Sequence, residues 1–479
     1  MDKCRNACNQ PGVRHKILPT PAVGLLFFIA VLLTRIPVLT RSVLDWDESL
    51  YFLMASQWRA GHLPYTVIWD NKPVGIYAIF ALFQMVFGQD IFSMRFATVC
   101  FIAVLALAVF KITEILTQHR AAAWVAGAAL VLCSLSNDGL SANTELFMAC
   151  FTALAVWLVL ASEWGLLAGV LLGCAFMVKY VAMFEAPAVF FLYVWRRRRV
   201  SPGALMVLGA ALPLGMVILR YALAGKFQLW LDDSVLSNFR RIEAHIGPAA
   251  LEVALHTQLW RWGTLYAGAA ALLLAAAVRR GWREVFLAGW LLGGLVGVEI
   301  AKSFYDHYFL QILPVLCVIF GYWFAKLPPR RLLRAGFVLV MLALPALAAK
   351  TALRDATGRD VIRQVGLALR AQHPASVYIF DSQPIIYALA GVNPPTRYVL
   401  PSELTGVLLP GVAGVNPQAE VARILAGRPA FIVRRNPPPA VLGSYNPAVY
   451  ALLDATLAAH YGLWRRYPGV WVYRLTAGR

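Results

Sequence analysis

The sequence predicts a polytopic α-helical membrane protein. It has about eleven transmembrane helices, interfacial helices in the first outer loop and a small C-terminal α/β domain on the outer face. Three observations carry that reading. First, the 479 residues are 60% hydrophobic and only 14% charged, with a mean hydropathy of +0.65; soluble domains run at about 45–50% apolar and 25% charged. Second, apolar runs approaching the roughly 20 residues needed to cross hydrocarbon recur along the chain. Third, the basic clusters fall on one side once those runs are counted. This composition argues against a soluble, disordered or disulfide-stapled secreted chain. Of the seven cysteines, Cys100, Cys133, Cys150, Cys174 and Cys317 lie in apolar runs. Cys4 and Cys8 lack the second pair that a zinc site needs.

The runs fall near 18–38, 92–112, 121–137, 143–161, 164–180, 181–195, 203–222, 257–278, 285–301, 308–325 and 335–350. No small-residue cleavage pattern follows the first, which reads as an uncleaved span. With Lys3, Arg5, Arg14 and Lys16 inside, alternation puts every major basic cluster inside too. These are Arg196, Arg197, Arg198 and Arg199; Arg279, Arg280 and Arg283; and Lys326, Arg330, Arg331 and Arg334. The apolar stretch 74–88 is short, and counting it as a span would turn all three clusters outward. It is read as a helix lying in the outer interface.

Three outward segments are then rich in polar residues: 40–90, 224–256 (with Asp232, Asp233, Arg240, Arg241, Glu243 and His245) and the tail from Thr351. In the tail, 376–380, 430–433 and 470–475 read as strands. Between them, 360–371, 418–426 and 447–460 have helical spacing. The division expected is a membrane domain over 1–350 and an outer α/β domain over 351–479, with no internal repeat.

The densest chemical signal follows the first span, where Asp45, Asp47 and Glu48 stand within four residues. Carboxylates beside a bilayer carry a desolvation cost, although capping the helix that runs through Trp58 explains one of them. Asp70, Asn71, Lys72 and Pro73 come next, ahead of Tyr77, Gly88 and Arg95. Snorkelling is the ordinary account of a lone lysine; sharing a loop with the carboxylates is what sets Lys72 apart. A third cluster holds Glu299, Lys302, Tyr305, Asp306, His307 and Tyr308, where an interfacial aromatic belt is the plain alternative. Glu145 and Lys179 mark two further outer helix ends. Acids able to take a proton and cations able to bind phosphate thus gather on one face. That suits group transfer from a lipid-borne phosphate, which needs cations on the developing charge and a base for the acceptor hydroxyl.

Asp47-Glu48 after the first span, Lys72-Pro73 before an interfacial helix, then Gly88, Arg95, Glu145, Lys179, His307-Tyr308 and Leu313-Pro314 form an ordered set. It resembles the GT-C glycosyltransferases over roughly 18–330. More narrowly, it is similar to the dolichyl-phosphate-mannose–protein mannosyltransferases and the lipid A aminoarabinose transferases. The resemblance implies an inverting enzyme that moves one sugar from a polyprenyl-phosphate carrier on the outer face. It implies Asp47 as the catalytic carboxylate with Glu48 beside it. Lys72, Arg95, Lys302, His307 and Tyr308 would contact the donor phosphate, supported by Asp45, Asp70, Tyr77, Glu145 and Lys179. Two positions depart from the family. Val74 replaces a common second proline, and Asn71 stands where aminoarabinose transferases carry an acidic residue implicated in metal binding. Both the metal and aminoarabinose as the sugar are weakened by this, and a divalent metal is left open as the one cofactor.

The partners implied are a polyprenyl-phosphate-linked sugar, membrane lipids, and an acceptor that is a protein, lipid A or an envelope glycan, with no nucleic acid. The expected location is the bacterial inner membrane, with the N-terminus cytoplasmic and the tail periplasmic. A transporter or lipid flippase is the alternative, but such proteins place their site at the midplane on broken helices. The net charge of +19 is mostly an orientation signal against anionic lipid heads.

Overall fold

The computed structural model describes residues 19–197, 201–243, 248–300, 302–437 and 445–476. Lys3, Arg5, Arg14, Lys16, Cys4, Cys8, Arg198, Arg199 and His245 lie outside the described residues, as does the side chain of Glu243. Helices follow the apolar runs because backbone in hydrocarbon must satisfy its own N–H and C=O groups. The chain opens with α1 (Thr20–Arg35), α2 (Trp46–Arg59) and α3 (Gly75–Phe87). Next come α4 (Ile91–Thr117), α5 (Arg120–Cys133), α6 (Thr144–Ala161), α7 (Gly165–Val178), α8 (Ala186–Arg197) and α9 (Ser201–Leu223). The segment after α9 holds α10 (Phe227–Trp230), a π-helical turn over Leu231–Leu236 and α11 (Ser237–Glu243). The remaining long helices are α12 (Pro248–Arg279), α13 (Trp282–Ile300), α14 (Leu313–Lys326) and α15 (Arg331–Ala356).

Every predicted run coincides with a helix. Among the described residues, seven helical stretches are long and apolar enough to cross a membrane, and α3, α5 and α7 are apolar but shorter. The protein is a multi-pass membrane protein. The run at 181–195 begins instead as a 3-10 turn, Tyr180–Phe184, because Pro187 has no N–H to carry a helix backwards. Gly165, Gly169 and Gly173 follow one another at four-residue spacing along α7. An added Cβ at Gly169 would collide with the Met206 carbonyl of α9, and at Gly173 with that of Ala210. Lipid offers no hydrophobic drive between helices, so direct backbone approach supplies the packing.

The tail contains α16 (Val361–Arg370), β1 (Val377–Ile379), α17 (Ile385–Ala390), α18 (Leu409–Ala413), α19 (Pro417–Ala426), β2 (Phe431–Arg435), α20 (Pro447–His460), β3 (Tyr461–Tyr467) and β4 (Val470–Leu475). The sheet order is β1-β2-β4-β3, with β1 and β2 parallel and the other pairs antiparallel. β3 was not anticipated: Gly462, Arg465 and Arg466 interrupt its apolar alternation, as suits an edge strand.

Alternate side chains of the sheet enter different cores. Tyr378, Phe380 and Ile432 pack with Val421, Ile424, Val449 and Leu453 of α19 and α20. Val377, Ile379, Phe431, Val433 and Val472 face the other way. They share one core with Val365 and Leu369, and with Leu50, Tyr51, Tyr77, Phe80 and Phe147 of the membrane part. The tail is therefore seated on the first loop. Trp69 N–H donates to the Arg397 carbonyl at 2.8 Å, Ser42 N–H to Asp360 Oδ2 at 2.9 Å, and Arg397 pairs with Asp233.

Candidate functional site

A cavity of about 970 Å³ lies between this seated tail and the helix ends beneath it. Its floor and walls come from Asp45, Asp47, Asp70, Lys72, Arg241 and His307; its roof comes from tail residues around Leu400, Glu403, Arg435 and Tyr450. The start of α2 is held by Glu48. Its carboxylate accepts from the N–H groups of Leu44 (2.5 Å), Asp45 (3.3 Å) and Ala142 (2.9 Å), and from both Arg95 nitrogens at 2.5 Å. Glu48 and Arg95 are fully buried and do not border the cavity.

One residue back, Asp47 Oδ2 accepts from the Tyr51 hydroxyl at 3.0 Å and faces Lys72 Nζ at 3.4 Å. Lys72 also lies 3.9 Å from Asp70 and 3.4 Å from Asn71 Oδ1. Asp70 is held by the Tyr77 hydroxyl at 2.7 Å. The Lys72 carbonyl accepts from Tyr65 at 2.6 Å and from Ser234 of the π-helical turn at 3.3 Å. Arg241 of α11 donates to the Tyr308 hydroxyl at 3.0 Å. The Lys179 ammonium sits 3.9 Å from the Tyr308 ring centroid and pairs with buried Glu145.

These neighbours set the protonation states. Burial alone would raise the Asp47 carboxyl, but Lys72, His307 and Arg241 outweigh it and hold it well below the usual carboxylate range. Burial opposes the Lys72 charge, yet Asp47 and Asp70 push its pKa upward. Arg241 is raised by Tyr308 against its own burial. Asp45 behaves oppositely to its neighbour: burial first, then Asp47, push it up to about 6. His307 Nδ1 lies 3.5 Å from Asp45 and 3.8 Å from Asp138. The ligand atoms of these three lie within 4.8 Å of one another. Two carboxylates and an imidazole are a donor set that fits a divalent transition-metal ion.

A profile of the dolichyl-phosphate-mannose-protein mannosyltransferase family matches residues 71–221. An undecaprenyl phosphate-alpha-4-amino-4-deoxy-L-arabinose arabinosyl transferase of Pseudomonas aeruginosa is 27% identical over 333 residues, 62% of this chain and 59% of that one. Its namesake from Yersinia enterocolitica is 26% identical, over 64% of this chain and 59% of its own. The match thus spans 59% of the length of these curated relatives. Among solved structures, ArnT from Cupriavidus metallidurans bound to undecaprenyl phosphate has a TM-score of 0.64 at 14% identity, covering 95% of this chain and 98% of that one. The Archaeoglobus fulgidus oligosaccharyltransferase complex with Zn and sulfate has a TM-score of 0.54 at 12% identity, covering 95% and 73%. Over residues 71–221 the chain is similar to the dolichyl-phosphate-mannose-protein mannosyltransferases, and its fold is that of the ArnT structure.

Within this fold, the structure gathers Asp45, Asp47, Asp70, Lys72 and His307 on the cavity. Tyr77, Tyr308, Glu145 and Lys179 stand directly behind them. Three expected positions change. Glu48 and Arg95 neutralise each other inside the core, so neither is placed to meet a substrate. Lys302 pairs with Glu299 at the protein surface, outside the cavity lining, because the left-handed backbone at Lys302 (φ 53°) turns the chain there. Other residues were missed. Arg241 stood in a segment marked only for its charge. Asp138 sits in a left-handed Asn137-Asp138 turn, anchored by buried Arg35 on the Ser134 carbonyl at 2.9 Å. Glu403, Arg435 and Tyr450 carry no local signal, since only the seating of the tail brings them to the cavity.

Proposed function

We propose that this protein is an integral membrane glycosyltransferase. It moves a single sugar from an undecaprenyl-phosphate-type carrier to an acceptor hydroxyl or phosphate on the outer face of the bacterial inner membrane, with inversion. The observation that carries this is Asp47 held at 3.4 Å from Lys72 on a cavity that Arg241 also lines. The names of the relatives support the donor class.

For a hydroxyl acceptor, its oxygen attacks the anomeric carbon opposite the phosphate, and Asp47 takes the proton. The carbon–oxygen bond to phosphate breaks, and the polyprenyl phosphate keeps the electron pair. Lys72 and Arg241 then meet a phosphate whose charge has grown, where preorganised cations help most. The same two cations, together with His307, make Asp47 a weak base while the cavity is free of donor. Donor phosphate competes for them, so its arrival restores basicity to Asp47 where an acceptor must be deprotonated. Glu48 and Arg95 act as positioning residues that fix the α2 terminus. Asp45, Asp138 and His307 would hold a divalent metal, which when bound would add positive charge beside the donor phosphate.

The orientation belongs to the same reading. Eleven helices cross, α3 lies in the outer interface, the N-terminus is cytoplasmic, and residues 351–479 form an outer domain roofing the cavity. The transporter alternative draws no support from the relatives named above. Purified protein incubated with undecaprenyl-phosphate sugars and envelope fractions should release undecaprenyl phosphate and label an acceptor. No release from any sugar-bearing lipid would overturn the reading.

A further inference from the structure

One carboxyl at the cavity has no part in this transfer. Glu403 ends the 3-10 turn Pro401–Glu403 on the roof and borders the cavity with Ser402 and Thr405. Its side chain is fully buried. Oε2 accepts the Leu400 N–H at 3.2 Å and closes the turn. Oε1 has no hydrogen-bond partner among the described residues. Leaving a buried acceptor unmade costs free energy, and such an atom beside a cavity points to a ligand. The tail's other buried acid at the roof is already satisfied: Asp381 accepts the Arg435 N–H and, at 3.0 Å, the Tyr450 hydroxyl.

The surroundings narrow the ligand. Burial, then Asp70, raises the Glu403 carboxyl well above the usual range, with Lys72 and Arg397 opposing. A carboxyl pushed toward its protonated form can donate as well as accept, which matches a neutral hydroxyl better than an amine. Its electrostatic neighbours are Asp70 and Lys72, the side of the cavity assigned above to donor phosphate. We propose that Glu403 is a sugar-recognition residue whose free oxygen meets a hydroxyl of the donor sugar beside the phosphate. The inference rests on the donor reading above and adds to it a specificity contact supplied by the tail.

The test separates sugar from phosphate. Affinities would be measured for undecaprenyl phosphate and for the same lipid carrying mannose, glucose or aminoarabinose. Wild type, Glu403→Leu and Glu403→Gln would be compared. Wild type should hold at least one sugar-bearing lipid more tightly than undecaprenyl phosphate. Glu403→Leu should lose about tenfold on that lipid while binding undecaprenyl phosphate unchanged. Glu403→Gln, which can still close the turn and donate, should keep most of the gain. The proposal is overturned by an absent sugar increment in wild type, or by an intact one in Glu403→Leu. It is also overturned if Glu403→Leu loses undecaprenyl phosphate equally, which makes Glu403 a roof support, or if Glu403→Gln is as damaging as Glu403→Leu, which makes the contact ionic. Wild type that does not bind undecaprenyl phosphate at all would sink the donor reading itself.

Discussion

Asp47 and Glu48 are adjacent in the chain yet do different work. Successive helical residues point about 100° apart, so one carboxylate reaches the cavity and the other turns into the core. Composition and spacing alone could not separate them, because the sequence carries no sign of which face of α2 is covered. Their variants should separate them. Asp47→Asn should lower transfer by roughly 10²–10⁴-fold, the usual worth of a general base, with undecaprenyl phosphate binding and thermal unfolding largely kept. Glu48→Ala should instead leave Arg95 charged and unpaired in the core, costing roughly 3–5 kcal/mol. A lowered unfolding midpoint in detergent would show it, and an unchanged midpoint would refute the buried pair. Lys72→Ala and Arg241→Ala should each weaken undecaprenyl phosphate binding by about tenfold or more, the scale of a charge-assisted hydrogen bond. Titration calorimetry would read it, and unaltered affinity would remove either residue from the phosphate side.

At the level of elements, the membrane helices were legible because hydrophobic length is a strong and local signal. The tail helices Val361–Arg370, Pro417–Ala426 and Pro447–His460 were legible from spacing for the same reason. β3 was not, since an exposed edge needs no alternating apolar face. Nor was the close seating of α3, which depends on one residue. A Cβ at Gly75 would run into the Met177 carbonyl of α7. Alanine favours helix over glycine by about 1 kcal/mol, but overpacking of this kind costs about 1–3 kcal/mol, and here the obstacle is backbone. Gly75→Ala should therefore shift α3 and the Lys72 loop ahead of it, reducing both stability and lipid affinity. Gly215→Ala in α9, where a Cβ meets nothing within 4 Å, is the control: it should leave lipid affinity unchanged and hold or slightly raise stability. Equal behaviour of the two variants would contradict the packing described.

For the whole molecule, the parity of the spans decides where the cavity opens. In a chain stripped of its native cysteines, Val407→Cys should react with an impermeant thiol reagent added to intact cells. Arg330→Cys should react only after the membrane is broken; both positions are exposed. The reverse pattern would invert the orientation. What no reading of separate segments could supply was the joint core, because its halves are far apart in sequence. Ser42 meets Asp360 across 318 residues, and Arg397 reaches the Tyr65 carbonyl across 332. Contacts this distant close late. During synthesis, Asp47 and Lys72 come into place long before β2 and β4 exist to cover them. A half-made chain offers these charged residues to water, with no enclosed space around them. The enclosed space therefore exists only once the tail is in place: it is a property of the finished chain and of none of its shorter precursors.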